Sequence, residues 1–121
     1  MNVIAHVEIP VTYLNRAMRF YNAVFGVNFG DVVTIHDNRM AYFPFEEGGG
    51  VASAALAQGD VYVPTRDGAI IYLNVADVDD VLAKAVGYGS EILFPKTPVN
   101  EIGFVAEIAD SEGNRIAVQS L

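Results

Sequence analysis

From Val3 to Val11 the chain alternates: Ala5, Val7, Ile9 and Val11 fall on one parity, and His6 and Glu8 on the other. That period of two belongs to a half-buried strand, with an imidazole and a carboxylate on its wetter face. The period then changes. Leu14, Ala17, Met18, Tyr21, Val24 and Phe25 recur at helical spacing, and Gly26 stands where a left-handed C-terminal cap belongs. The same switch occurs once more. "AIIYLNV", Ala69 to Val75, reads as a strand, and Val78, Val81, Leu82, Ala85 and Val86 follow at helical spacing. Asp77 is placed as the N-cap, with Asp80 three residues on, and Gly89 ends the helix.

Setting Val11 against Val75 aligns Leu14 with Val78, Ala17 with Val81 and Met18 with Leu82. Strand-like segments follow both helices. After the first come "VNFGDVVTI", a polar turn "HDNR", "MAYFPF", a glycine turn "EEGGG" and "VASAALA"; after the second come "SEILFP", a loop "KTPVNEI", "GFVAEIA", a turn "DSEGN" and "RIAVQSL". Each half therefore predicts strand, helix and three strands. The expected organisation is one α+β domain over 1–121, made of a βαβββ module over 1–58, a connector over 59–68 and a second βαβββ module over 69–121. One helix covers only one face of a four-stranded sheet, so two such modules can set their bare faces around a shared concave cup.

Composition narrows the function classes. The 121 residues are 52% hydrophobic and include no cysteine, which removes disulfides, thiolate nucleophiles and thiolate metal sites and fits a reducing, cytoplasmic setting. Apolar surface in excess of what so short a chain can bury predicts a homodimer. Fifteen acidic residues against seven basic ones give a net charge of −8, with no basic cluster to displace counterions, so a nucleic-acid partner is not expected. No basic-then-apolar leader opens the chain, and no apolar run approaches the ~20 residues that span a bilayer, so neither a signal peptide nor a membrane partner is expected.

Strand parity separates a helix-facing set from a cup-facing set. Ala5, Val7, Ile9, Ile71, Leu73, Val75, Ile116 and Val118 belong to the first. His6, Glu8, Ile70, Tyr72, Asn74, Arg115, Ala117 and Gln119 belong to the second. A mixed apolar wall with a few convergent polar groups is the composition of a small-molecule pocket, and His6, Glu8, Tyr72, Asn74, Arg115 and Gln119 are its candidate ligand-binding residues. Each also has a plainer role: His6 bonded to Glu8 or to backbone, Glu8 paired with Arg115 across first and last strands, Tyr72 as packing. Other motifs carry less. Gly48–Gly50 lies between strand patterns and reads as a hairpin turn, since no helix opens after it to bind phosphate. Asp77, Asp79 and Asp80 complement a helix dipole. Ser53, Ser90, Ser111 and Ser120 have no histidine and acid partner in sequence context, so serine-hydrolase chemistry is not expected.

The segments "HVEIPVTYLNRAMRFYNAVFG", "GDVYVPTRDGAIIYLNVADVDDVLAKAVGYGSEILFPKTPV" and "GFVAEIADSEGNRIAVQS" together resemble the vicinal oxygen chelate superfamily, which includes glyoxalases, bleomycin-resistance proteins and extradiol dioxygenases. The likeness is strongest to short bacterial glyoxalase-related proteins. In metal-dependent members, ligands project from the first and last strands of each module. Placed on that pattern, this chain has His6 at the first ligand position, Ala55 (or Ser53, with a shifted turn) at the second, Ile70 at the third and Ala117 at the fourth. A divalent cation needs three or more donors at ~2.0–2.3 Å, and alanine and isoleucine offer none. His36, in the turn "HDNR", is expected at a hairpin tip away from the cup. No metal, no cofactor and no metal-dependent isomerase chemistry are therefore expected. Three readings follow: a metal-free protein binding a small organic molecule in its cup; an enzyme of lyase, isomerase or dioxygenase type using an atypical metal site or a His6/Glu8 acid–base pair; and a partner module whose cup is vestigial.

Overall fold

The computed structural model describes residues 2–45, 52–101 and 103–121, and its elements run twice through the same order. Strand β1 (His6–Val11), helix α1 (Leu14–Phe25), and strands β2 (Val33–Ile35), β3 (Asn38–Tyr42) and β4 (Ser53–Gln58) form the first module. Strand β5 (Ile71–Asn74), helix α2 (Val78–Gly87), and strands β6 (Ile92–Val99), β7 (Gly103–Ala109) and β8 (Arg115–Ser120) form the second. The two sheets have matching orders, β1-β4-β3-β2 and β5-β8-β7-β6, in which the first strand of each module lies parallel to its last. A parallel partner needs a long return path, which the helix and the two intervening strands supply.

Of the helix-facing parity, Ile9, Ile116 and Val118 are fully buried, while Val7, Ile71 and Leu73 are partly buried and, against the expected parity, also border the gap between the modules. Ile9, Val11, Ile116 and Val118 join Leu14, Ala17, Tyr21 and Val24 of α1 and Val78, Val81 and Ala85 of α2 in one core shared by both modules. The helical spacing missed Phe20, which is fully buried and meets Tyr21 and Tyr88 edge-on at centroid distances of 5.5 and 6.1 Å. Two residues assigned to buried faces are exposed instead. Val86 lies on the solvent side of α2, and Ala5 precedes β1, whose ladder begins where its partner begins, at the pair His6–Ser53.

Turn chemistry accounts for the hairpins. His36 and Asp37 have φ of 50° and 65°, so the two residues between Ile35 and Asn38 make a tight connection of the kind that matches strand twist. This places His36 at a hairpin tip. "KTPVNEI", expected as a loop, continues as β6 to Val99. Its prolines are accommodated because β6 is an edge strand and its pairing with β7 shifts register between Ile92 and Phe94 and again between Phe94 and Thr97. The short reach of β2, Val33 to Ile35 where "VNFGDVVTI" predicted a longer strand, follows from its three-pair ladder with β3. The glycine turn Gly48–Gly50 lies outside the described residues.

The modules are fastened by the turn before β8. Asp110 and Asn114 are buried there. Asn114 Nδ2 donates to the Pro10 carbonyl at 2.7 Å and to Asp110 Oδ2 at 3.0 Å, and its Oδ1 accepts from the Thr65 N–H at 3.0 Å. Tyr21 donates to Asp110 Oδ2 at 2.7 Å; burial, then the Asp110 charge, holds this phenol well above its usual value. Glu112 accepts from the Thr12 and Tyr13 N–H groups at 2.9 and 2.8 Å and from Arg16 Nε at 2.7 Å. These bonds tie the end of β1 and the start of α1 to the turn that leads into β8, the strand paired with β5.

Candidate functional site

Strands β1 and β5 are edges of separate sheets and share no ladder, so a gap opens between them. It is a cavity of about 820 Å³. Ile4, Val7, Phe43, Ile70, Ile71 and Leu73 are among its apolar walls, and His6, Glu8, Ser53, Tyr72, Asn74 and Arg115 bring polar groups to it. Five of the six residues singled out from the alternation thus lie on this cavity. The sixth, Gln119, is not on its wall; its Nε2 donates to Asn74 Oδ1 at 2.9 Å. With one acceptor site of that oxygen used by Gln119, both amide N–H groups of Asn74 are left to donate to a ligand.

The β1 side carries a connected chain of polar groups. His6 and Ser53 are directly opposite in the parallel ladder, and Ser53 Oγ lies 2.7 Å from His6 Nδ1. Glu8, two residues along the same face, brings Oε2 to 3.5 Å from His6 Nε2. Its other oxygen accepts from the Tyr62 hydroxyl at 2.7 Å, and this hydrogen bond holds the phenol above its usual value. Tyr42 stands beside the imidazole with ring centroids 6.0 Å apart. The side chains of His6 and Glu8 are each about one-third exposed (32% and 34%), so the chain is reachable from solvent.

Ser53 does have a histidine and an acid beside it, which sequence context did not show because a parallel register joins residues 47 positions apart. Glu8 does not pair with Arg115: the Arg115 guanidinium is held by Glu107 within the second sheet. Glu107 was legible, since it shares cup-facing parity with Arg115 across a short turn. Tyr62 was not, because nothing in the connector's pattern marks it.

The donors do not fit a divalent cation. Ala55 is buried opposite Glu8 in the ladder, Ala117 is buried between Tyr72 and Glu107, and Ile70 is a cavity wall, so three of the four places implied by the resemblance offer no donor. Ser53, the alternative at the second place, holds a neutral hydroxyl already bonded to His6. Among the described residues, no group of three or more His, Cys, Asp or Glu side chains is arranged to hold a metal ion.

Residues 3–118 match the family model described as Glyoxalase/Bleomycin resistance protein/Dioxygenase superfamily. No curated protein matches the sequence. Solved structures share the fold at low identity. A glyoxylase/bleomycin resistance protein/dioxygenase domain from Frankia sp. EAN1pec superposes with a TM-score of 0.76 at 15% identity, covering 99% of this chain and 92% of that one. The glyoxalase I of Leishmania major gives 0.76 at 19%, covering 99% and 87%. The fosfomycin resistance protein FosX from Listeria monocytogenes gives 0.72 at 16%, covering 100% and 94%.

Proposed function

The chain belongs to the glyoxalase/bleomycin resistance/dioxygenase superfamily, and from that premise we propose that it binds a small organic molecule, without a metal, in the cavity between β1 and β5. The observation that carries this reading is the lining: apolar walls of about 820 Å³ with polar groups gathered on both sides. Drug-sized ligands occupy cavities of roughly 300–1,000 Å³ with this mixture of apolar burial and a few orienting hydrogen bonds. Tyr72, half exposed, offers an aromatic face, and Asn74 and Arg115 supply donors beside it. The fitting ligand is uncharged or weakly polar, with an aromatic or aliphatic body.

The neutral fluorophore N-phenyl-1-naphthylamine is expected to bind with one site per chain, and Tyr72→Ala to weaken it. Titrations with no saturable binding would refute the reading. The purified protein is expected to carry no stoichiometric metal and no isomerase activity on the hemithioacetal of glutathione and methylglyoxal, even with added nickel or zinc. Metal at one equivalent that disappears in His6→Ala would overturn the metal-free part.

The reading extends to a homodimer acting in the cytoplasm. Val33, Ile35 and Tyr42 leave apolar surface exposed on the first sheet, and no helix among the described residues is long and apolar enough to cross a membrane. Because the charge is −8, low salt opposes association, and the contact is largely apolar. Light scattering is expected to return a dimer mass at micromolar concentration; a monomer mass would remove this extension.

A further inference from the structure

We propose that Ser53 is an activated nucleophile, with His6 as its base and Glu8 as the group that orients the base, and that it accepts acyl groups from small esters held in the cavity. The inference rests on the cavity being a ligand site, and it adds covalent chemistry to that reading.

A Glu8 carboxylate oxygen stands 3.5 Å from His6 Nε2, a charge placement that favours the ring proton on that nitrogen and Nδ1 as the acceptor. The Ser53 hydroxyl, 2.7 Å from Nδ1, then donates to it. The atom through which the chain can act is Ser53 Oγ, which lies on the cavity wall with lone pairs to offer. Glu8 is itself fixed from the far side by Tyr62 at 2.7 Å, so the order Tyr62, Glu8, His6, Ser53 is continuous. Nucleophile bonded to base, and base oriented by a third group, is the geometry that makes a hydroxyl reactive. Ladder register supplies it: His6 and Ser53 are opposite one another on adjacent strands, with Glu8 on the same face.

In the step itself, Ser53 Oγ bonds to the acyl carbon and its proton passes to His6 Nδ1. The ester C–O bond breaks, and the leaving alcohol or phenol departs with that proton. Water then attacks the acyl-serine, His6 again takes and returns a proton, and the acid leaves with Ser53 restored. Ile4, Val7, Ile70 and Ile71, which line the same cavity, favour a short aliphatic or aromatic acyl group.

The test is p-nitrophenyl butyrate with the full chain, read by phenol release and by mass spectrometry of the protein. In samples acid-quenched early in phenol release, a butyryl adduct of at most one per chain is expected on Ser53, and it is absent in Ser53→Ala. A positioned base contributes about 10²–10⁴-fold, so His6→Ala is expected to slow acylation at least 100-fold while its thermal melt stays cooperative. Glu8→Gln, which keeps the size and the Tyr62 contact, is expected to slow it about tenfold. Acylation elsewhere only, or an unchanged rate in both His6→Ala and Glu8→Gln, overturns the proposal. Fluorophore binding separates the two readings: binding without acylation sinks the nucleophile alone, and acylation of Ser53 without fluorophore binding sinks the cavity reading alone.

Discussion

Helix α2 begins on its own Asp77, whereas helix α1 begins on Glu112, a residue 99 positions from Tyr13. The Asp77 carboxylate accepts from the N–H groups of Asp79 and Asp80, the local arrangement that sequence alone predicts. Tyr13, the residue before α1, provides no side-chain cap. The exposed donors at that end are met from elsewhere: Gln58 of β4 accepts from Leu14 N at 2.7 Å, and Glu112 accepts from Thr12 and Tyr13. The same topology thus hides two different dependencies. The start of α2 is a property of its own segment. The start of α1 is a property of how the second module docks, and so is the position of β1, which carries His6 and Glu8.

The largest effect expected from this difference is at Phe20. Its ring is fully buried between Tyr21, Phe25 and Tyr88, at the seam where α1 meets the second module. Phe20→Ala is expected to cost about 3–5 kcal/mol. Leu82, on α2, is only half buried, so Leu82→Ala is expected to cost about 1–2 kcal/mol, below the range for a fully buried leucine. Equal losses in denaturant melts would show that the seam is no better packed than the flank of α2.

Next in size are the caps. Removing Glu112 takes away two backbone contacts and its bonds to Arg16 and Ser111, so Glu112→Ala is expected to cost about 3 kcal/mol. Asp77→Ala removes a local cap and is expected to cost about 1 kcal/mol. The comparison also has a functional arm. Glu112→Ala is expected to weaken fluorophore binding, since it loosens the docking that sets β1 beside β5, while Asp77→Ala leaves binding unchanged. If both variants bind alike, the borrowed cap secures a helix and nothing more.

Legibility in the sequence divides along the same line. What depended on neighbours was readable: the parity of His6 and Glu8, Gly26 at φ 70° closing α1, Asp77 opening α2, and the hairpin at His36 and Asp37. What depended on contact between distant segments was not. Ser53 meets His6 through a parallel register, Tyr62 meets Glu8 from the connector, and Glu112 meets α1 from the other module. Pattern reading also failed where local chemistry was overruled. Pro95 and Pro98 suggested a loop, but an edge strand with a shifted register accommodates them. Of the candidate site, the alternation supplied the residues on each strand and left their partners unknown.

The smallest expected effect is a pH dependence specific to the α1 end. The Glu112 side chain is fully buried. Burial pushes its pKa up, but the hydrogen bonds from Arg16, the Tyr13 N–H and Ser111, together with the Arg16 charge, outweigh that and leave the carboxyl below the usual carboxylate range. A carboxyl whose folded-state value lies below its unfolded value binds protons more readily in the unfolded chain. Its contribution is therefore complete above the ordinary glutamate value of roughly 4.3 and is lost as pH falls through the lower folded value. Between pH 6 and pH 3 the wild-type chain is expected to lose more stability than Glu112→Gln. Urea melts across that interval decide it: parallel curves for wild type and Glu112→Gln would mean that the contact between modules carries no pH-dependent part of the stability.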